Sequence, residues 1–227
     1  MRVMLTFFLA GFAATFLLCV GLVIHMRRNR SAALKGDSKA AAKIILPAFE
    51  PLLILLGVVN GAYVFFLVVT LATGYYDGFV PPLVLESFYC GNVFDFVVVL
   101  VLLMQKSISI QALGRTVCIS LILSSHTMPY TWYVTTRADH RHRELYLVGH
   151  FLLHLLSYLP FVYAFIHPPS RATRRTIREF CAFALIHYVL SSVVIMLLIR
   201  QSTIAISRYV MFSVLTWVSL TPLVIWR

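Results

Sequence analysis

Runs of about 20 consecutive apolar residues constrain this chain more than any other feature, because that length matches the hydrocarbon thickness of a bilayer. Seven such runs occupy residues 3–25, 49–72, 82–104, 116–134, 145–167, 180–199 and 209–226. The fourth and seventh are the shortest. The connections between them are short, so all 227 residues are expected to form one transmembrane domain. Composition agrees, with 60% of residues hydrophobic and 12% charged. Soluble domains average roughly 45–50% apolar and about 25% charged, and disordered chains are poorer still in apolar residues. A soluble globule and a disordered chain are thereby excluded. The expected fold is all-α: a polytopic bundle of seven transmembrane helices in a cell membrane, plasma membrane or endomembrane alike.

The net charge is +11. In a soluble protein such a balance points to nucleic acid. Here it resolves into sidedness, since thirteen of the 19 Lys and Arg fall on one set of connections. Cytoplasmic loops carry the positive excess, which places the N-terminus outside and the C-terminus in the cytoplasm. No nucleic-acid partner is expected. Arg27, Arg28 and Arg30 follow the first span, and Arg171, Arg174, Arg175 and Arg178 precede the sixth. Such clusters attract anionic inner-leaflet lipids at about 1 kcal/mol per residue, and they also suit a cytoplasmic signalling partner. The basic residues after the first span favour a retained anchor over a cleaved signal peptide. This orientation leaves the sequon Asn29-Arg30-Ser31 cytoplasmic and unglycosylated.

Local signals refine the spans. Glu50 between Pro47 and Pro51 reads as a helix start whose carboxylate can pair with the neighbouring basic connection. Gly57 and Gly61 form a GxxxG that permits close helix approach, within the bundle or in a homodimer. Pro129, Pro160 and Pro222 fall inside spans four, five and seven, where each removes a backbone hydrogen bond and favours a kink. Cys19, Cys90, Cys118 and Cys181 have no partner in an outer loop and read as free, buried thiols.

Ionisable groups in hydrocarbon are expensive and therefore functional candidates. Asp95 lies mid-span with no Lys or Arg at its depth. Asn92, Asn60, His126 and His154 fall near the same plane and are the expected ligand-binding set with it. His187 lies at that level too. Glu86 is nine residues before Asp95, about 900° around the helix. The two carboxylates therefore point oppositely, and Glu86 is expected to reach the outer surface or a vestibule. His150 and His154 form an HxxxH on one helical face, a possible zinc pair that needs a third ligand from Asp95, His126 or His187. Zinc apart, no cofactor is expected.

Seven spans with this orientation resemble the layout of G-protein-coupled receptors, and Asp95 midway along span three is similar to the counter-ion of their amine-binding members. Leu103-Met104-Gln105-Lys106 and Leu220-Thr221-Pro222-Leu223 stand where that family has its span-three and span-seven motifs. Length and orientation also resemble the SWEET sugar transporters. Asp95 with His150 and His154 is similar to the zinc-ligand pattern of seven-span alkaline ceramidases and adipoQ-type receptors. The residues and the first resemblance together imply a receptor-like or sensory membrane protein with a polar cavity. The alternatives are a small-solute or proton-coupled transporter, an intramembrane zinc-dependent hydrolase, and a non-catalytic membrane scaffold.

Overall fold

The structure, a computed structural model, describes residues 2–35, 49–75, 81–105, 109–137, 143–169 and 173–200. Among these residues it is all-α, with no strand. In chain order the helices are α1 (Arg2–Leu34), α2 (Phe49–Thr73), α3 (Pro82–Met104), α4 (Ile110–Ser125), α5 (Met128–Arg137), α6 (Arg143–Leu156), α7 (Leu159–Ile166) and α8 (Arg174–Arg200). Among the described residues, four segments are long and apolar enough to cross a membrane: Leu5–Leu34, Glu50–Thr73, Pro82–Met104 and Val148–Ile166. The seventh expected span, 209–226, lies outside the described residues, as do Arg171 and Pro222.

Helix ends follow local chemistry. Pro82 opens α3, where its missing N–H costs nothing. The Ser109 hydroxyl accepts from the Ala112 amide at 3.1 Å and caps α4. The Thr173 hydroxyl accepts from the Thr176 amide at 3.2 Å at the start of α8. Gly74, at φ 65°, ends α2 in the left-handed region that glycine enters without penalty.

α1 differs from expectation in length. It continues through the first basic cluster as one helix, because no Gly or Pro interrupts residues 22–35 and Arg, Ala and Leu are good helix formers. At 1.5 Å per residue it is about 50 Å long, well beyond a hydrocarbon core of about 30 Å. Its protruding turn meets the start of α2, where Arg27 Nε donates to Glu50 Oε1 at 2.7 Å. Arg27 is 64% exposed, so the pair is worth at most about 1 kcal/mol.

Spans four and five are both interrupted. The fourth divides into α4 and α5 across His126–Thr127, just before Pro129. The fifth divides into α6 and α7 across Ser157–Tyr158, just before Pro160. At the second break the ladder tightens: the Ser157 and Tyr158 amides donate to His154 and Leu155 carbonyls three residues back. Proline cannot donate, and its ring crowds the preceding turn.

α3 is the hub of the packing. Its Tyr89, Val93, Phe96, Val97 and Leu100 meet Tyr158 at the second break, Phe161 of α7 and Ile177, Phe180, Cys181, Ala184 and Tyr188 of α8. Phe94, Val98 and Leu102 on another side pack with Cys19 of α1, Leu52, Leu53 and Leu56 of α2, and Leu113 of α4. Phe88 joins Leu5, Phe12 and Leu67. The GxxxG glycines face α1 within the chain: a Cβ on Gly57 would lie 3.5 Å from Cys19, and one on Gly61 3.2 Å from the Phe16 ring. Ile54, Val58, Phe65, Phe66, Val68 and Val69 of α2 point outward. An apolar outer surface is what contact with lipid requires. All four cysteines are free, and Cys118 is exposed, not buried as expected.

Candidate functional site

The expected single polar layer separates into two clusters on opposite sides of α3. Asp95 faces α2 and accepts from Asn60 Nδ2 at 3.0 and 3.2 Å. Both residues are buried. Asn60 Nδ2 also donates to the Leu56 carbonyl at 2.8 Å. His126 and His154 do not share this cluster, which corrects the expected cavity. Asn92 does not line it either: its amide donates to the Phe88 carbonyl of its own helix at 3.1 Å. His187 packs its ring 5.2 Å from Phe96 and makes no hydrogen bond through its buried Nδ1.

Asp95 and Asn60 clamp α2 to α3. Asn60→Leu removes the hydrogen bonds that hold Asp95 and is expected to destabilise the protein by about 1–3 kcal/mol. Asp95→Asn keeps an acceptor of the same shape and is expected to cost less than about 1 kcal/mol. Reversible unfolding in bicelles measures both, and a neutral Asn60→Leu would remove the clamp.

The second cluster forms around Glu86. Its side chain is 3% exposed, so it does not reach a surface or vestibule. Nine residues from Asp95 turn it half a revolution away, as the spacing requires, and α3 then aims it at the two interrupted spans. Glu86 Oε2 lies 3.2 Å from His150 Nε2, and Oε1 lies 3.4 Å from His154 Nε2. The two imidazole nitrogens are 3.3 Å apart. Thr127, at the first break, donates its hydroxyl to Glu86 Oε1 and has Cys90 Sγ at 3.6 Å. Thr131 Oγ1, one turn further, lies 3.1 Å from His150 Nε2.

His126 ties the two breaks together. Its Nδ1 lies 2.8 Å from the Leu123 carbonyl of α4, and its Nε2 lies 2.9 Å from the Leu153 carbonyl of α6. The Leu153 carbonyl is left over because the Ser157 amide has turned to His154. An imidazole with a single N–H can serve only one of the two carbonyls at a time.

Three polar atoms beside this cluster are buried without a hydrogen bond: Tyr89 Oη, His154 Nδ1 and Ser157 Oγ. The Tyr89 ring centroid is 4.1 Å from that of His154. Buried polar groups are nearly always paired, so each of these has a partner to gain; Asn60 Oδ1, Thr116 Oγ1, Ser120 Oγ and His187 Nδ1 are likewise unpaired elsewhere among the described residues.

His150 and His154, expected as a pair, are brought together. The third group, Glu86, was not expected there; Asp95, His126 and His187 were. The signal for it was register. Glu86 precedes Tyr89, Cys90 and Val93 at i+3, i+4 and i+7, the spacing of one buried face.

Of the basic residues, Arg175 pairs with Glu179 at 2.8 Å on the surface of α8. Arg178 donates to the Phe165 carbonyl at 3.4 Å and lies over the Phe165 ring at 5.9 Å, holding the end of α7. Among the described residues, Arg28, Arg30 and Arg174 form no ion pair. No family model matches the chain, and comparison with curated proteins and with solved structures finds no match.

Proposed function

We propose that this chain is a receptor-like, sensory membrane protein whose ligand is taken between α3, α5 and α6 and whose response is a change at the two helix breaks. The long apolar helices make it compatible with a multi-pass membrane protein. The observation that carries the finer reading is the position of Glu86. One buried carboxylate holds Thr127 at the first break and His154 three residues before the second. A group that competes for Glu86 therefore changes both breaks together. The short helix α7 follows the second break, and Arg178 holds its far end to α8. Movement at Ser157–Tyr158 thus has a direct mechanical route to the end of the bundle that carries Arg174, Arg175 and Arg178.

Glu86 pairs with no Lys or Arg among the described residues, which suits it to a cationic ligand. The test uses the full chain in nanodiscs with choline, histamine and tyramine as probes. Saturation at about 100 times Kd adds about 2.7 kcal/mol of stability. A rise in Tm by at least one of these cations in the wild type, lost in Glu86→Gln, is expected. Equal shifts in both proteins, or none in either, overturn the reading. Transport is the second reading, favoured by the same pair of interrupted helices, since discontinuous helices commonly frame transporter sites. Uptake of the binding cation into proteoliposomes selects it over sensing.

A further inference from the structure

We propose that Glu86, His150 and His154 coordinate a divalent transition-metal ion of the zinc class inside the helical bundle. This rests on the ligand-site reading above and names the occupant of that same site.

The separations suit an ion. Zinc sits about 2.0–2.2 Å from imidazole nitrogen and carboxylate oxygen, in tetrahedral geometry. Ligand atoms on such a tetrahedron are about 3.3–3.6 Å apart. The two imidazole nitrogens here are 3.3 Å apart and lie 3.2 and 3.4 Å from two different Glu86 oxygens, Oε2 and Oε1; one carboxylate oxygen and the two nitrogens all lie within 4.8 Å of one another. Good N–H···O bonds cluster near 2.9–3.0 Å, so the same contacts are long for hydrogen bonds.

Proton counting points the same way. His150 Nε2 lies within 3.3 Å of Glu86 Oε2, His154 Nε2 and Thr131 Oγ1. A neutral imidazole nitrogen offers one N–H or one lone pair, and cannot satisfy three neighbours. A cation at the centre satisfies the lone pairs of all the ligands at once. It also settles the other ring nitrogen: metal on Nε2 of His154 puts the N–H on Nδ1, which is buried and without a partner as the chain stands. Ligating histidines normally give that N–H to an oxygen or a water. The Ser157 hydroxyl, also buried and unpaired, follows three residues later.

The donor atoms come from two helices and all lie within 4.8 Å of one another. Two are imidazole nitrogens and one is a carboxylate oxygen, a set that suits zinc, cobalt or nickel ahead of magnesium or calcium. Three protein ligands leave a fourth position open. Thr131 Oγ1 lies 3.1 Å from His150 Nε2, and the Tyr89 ring, whose hydroxyl is unpaired, packs 4.1 Å from the His154 ring, so a water or a solute group bound beside the ion has polar neighbours. At such a site a cationic probe competes with the ion for Glu86, whereas an anionic or neutral donor adds to it.

The experiment is metal analysis of the full chain, purified without a polyhistidine tag, after dialysis against zinc and separately against Co(II). About one ion per chain is expected, and Co(II) should give the intense visible absorption of a four-coordinate site. Glu86→Gln and His154→Ala should each weaken binding by about tenfold or more. Glu86→Gln keeps the side-chain shape, so its Tm and elution volume show whether the bundle is intact. Zinc and Co(II) binding in the wild type no greater than in Glu86→Gln, with both folded, overturns the metal site. If metal is absent but the choline, histamine or tyramine response persists and needs Glu86, the sensory reading stands alone. If metal binds and no cation response exists, the site is metallic and the sensory reading falls.

Discussion

Glu86→Leu alone is expected to destabilise the protein by about 3–5 kcal/mol, the usual cost of removing one partner from a buried polar or ionic set. The side chain holds Thr127, His150 and His154. Its loss leaves those groups in an apolar interior without their acceptor, and each such group costs about 1–3 kcal/mol. The triple variant Glu86→Leu, His150→Leu, His154→Leu removes the partners as well as the acid. It is expected to return to within about 1–2 kcal/mol of the wild type, or to exceed it, because well-packed apolar replacements of buried polar sets are often neutral or stabilising. Thr127 retains Cys90 as a neighbour in both variants. Reversible unfolding in bicelles, with metal chelated, measures the comparison. A triple variant as unstable as the single one would make the cluster a structural brace. Recovery of stability with loss of metal and ligand binding would make it a site maintained for function.

Gly91→Ala is expected to cost about 1–3 kcal/mol, although alanine is the better helix former by about 1 kcal/mol. A Cβ at this position would lie 2.6 Å from Tyr63 Cε2, 2.8 Å from Cζ and 2.9 Å from Oη. The Tyr63 ring has little freedom to give way. It stacks on Phe12 with centroids 4.7 Å apart, and its hydroxyl donates to the Ser87 carbonyl at 2.8 Å. The methyl must therefore push α2 from α3, which also stretches the Asn60–Asp95 contact on the same side of α3. Gly21 and Gly114 supply the control, since a Cβ on either meets nothing within 4 Å. Gly21→Ala and Gly114→Ala should be neutral or slightly stabilising. The combination Gly91→Ala with Tyr63→Leu should recover most of the loss. If Gly91→Ala proves as harmless as Gly114→Ala, the close approach of α2 and α3 is wrong.

The unequal legibility of the two clusters has a physical cause. Asp95 stood out because it is a carboxylate deep in an apolar run, and its burial follows from that alone. Its partner was harder to read. Asn60 lay at the right depth, but so did His126, His154 and His187, and depth along a span says nothing about which way a side chain points. Glu86 was misplaced for a related reason. It lies four residues inside α3, where counting from the span end suggests a surface. The Pro82 end of α3 is instead covered by α5 and α6, which bring Thr127, His150 and His154 over it.

The interruption of spans four and five was half legible. Pro129 and Pro160 remove hydrogen-bond donors wherever the helices pack, so kinks were expected from residue type. That the breaks face each other, with His126 reaching from one to the Leu153 carbonyl freed by the other, joins residues 27 positions apart.

By itself the sequence determined the helical class, the membrane-spanning length of four of the apolar runs, the start of α3, the Glu50 ion pair and the use of Gly57 and Gly61 as a contact face. These depend on composition and on neighbours within one or two turns. Only the tertiary structure decided which carboxylate meets the HxxxH. A helix as uniformly apolar as α3 carries no polar stripe to mark its inward side, because lipid and protein interior accept the same residues. Its rotation is set by shape, through Gly91 against Tyr63 and Phe96 against α8, and that rotation sends Asp95 to Asn60 and Glu86 to the two histidines.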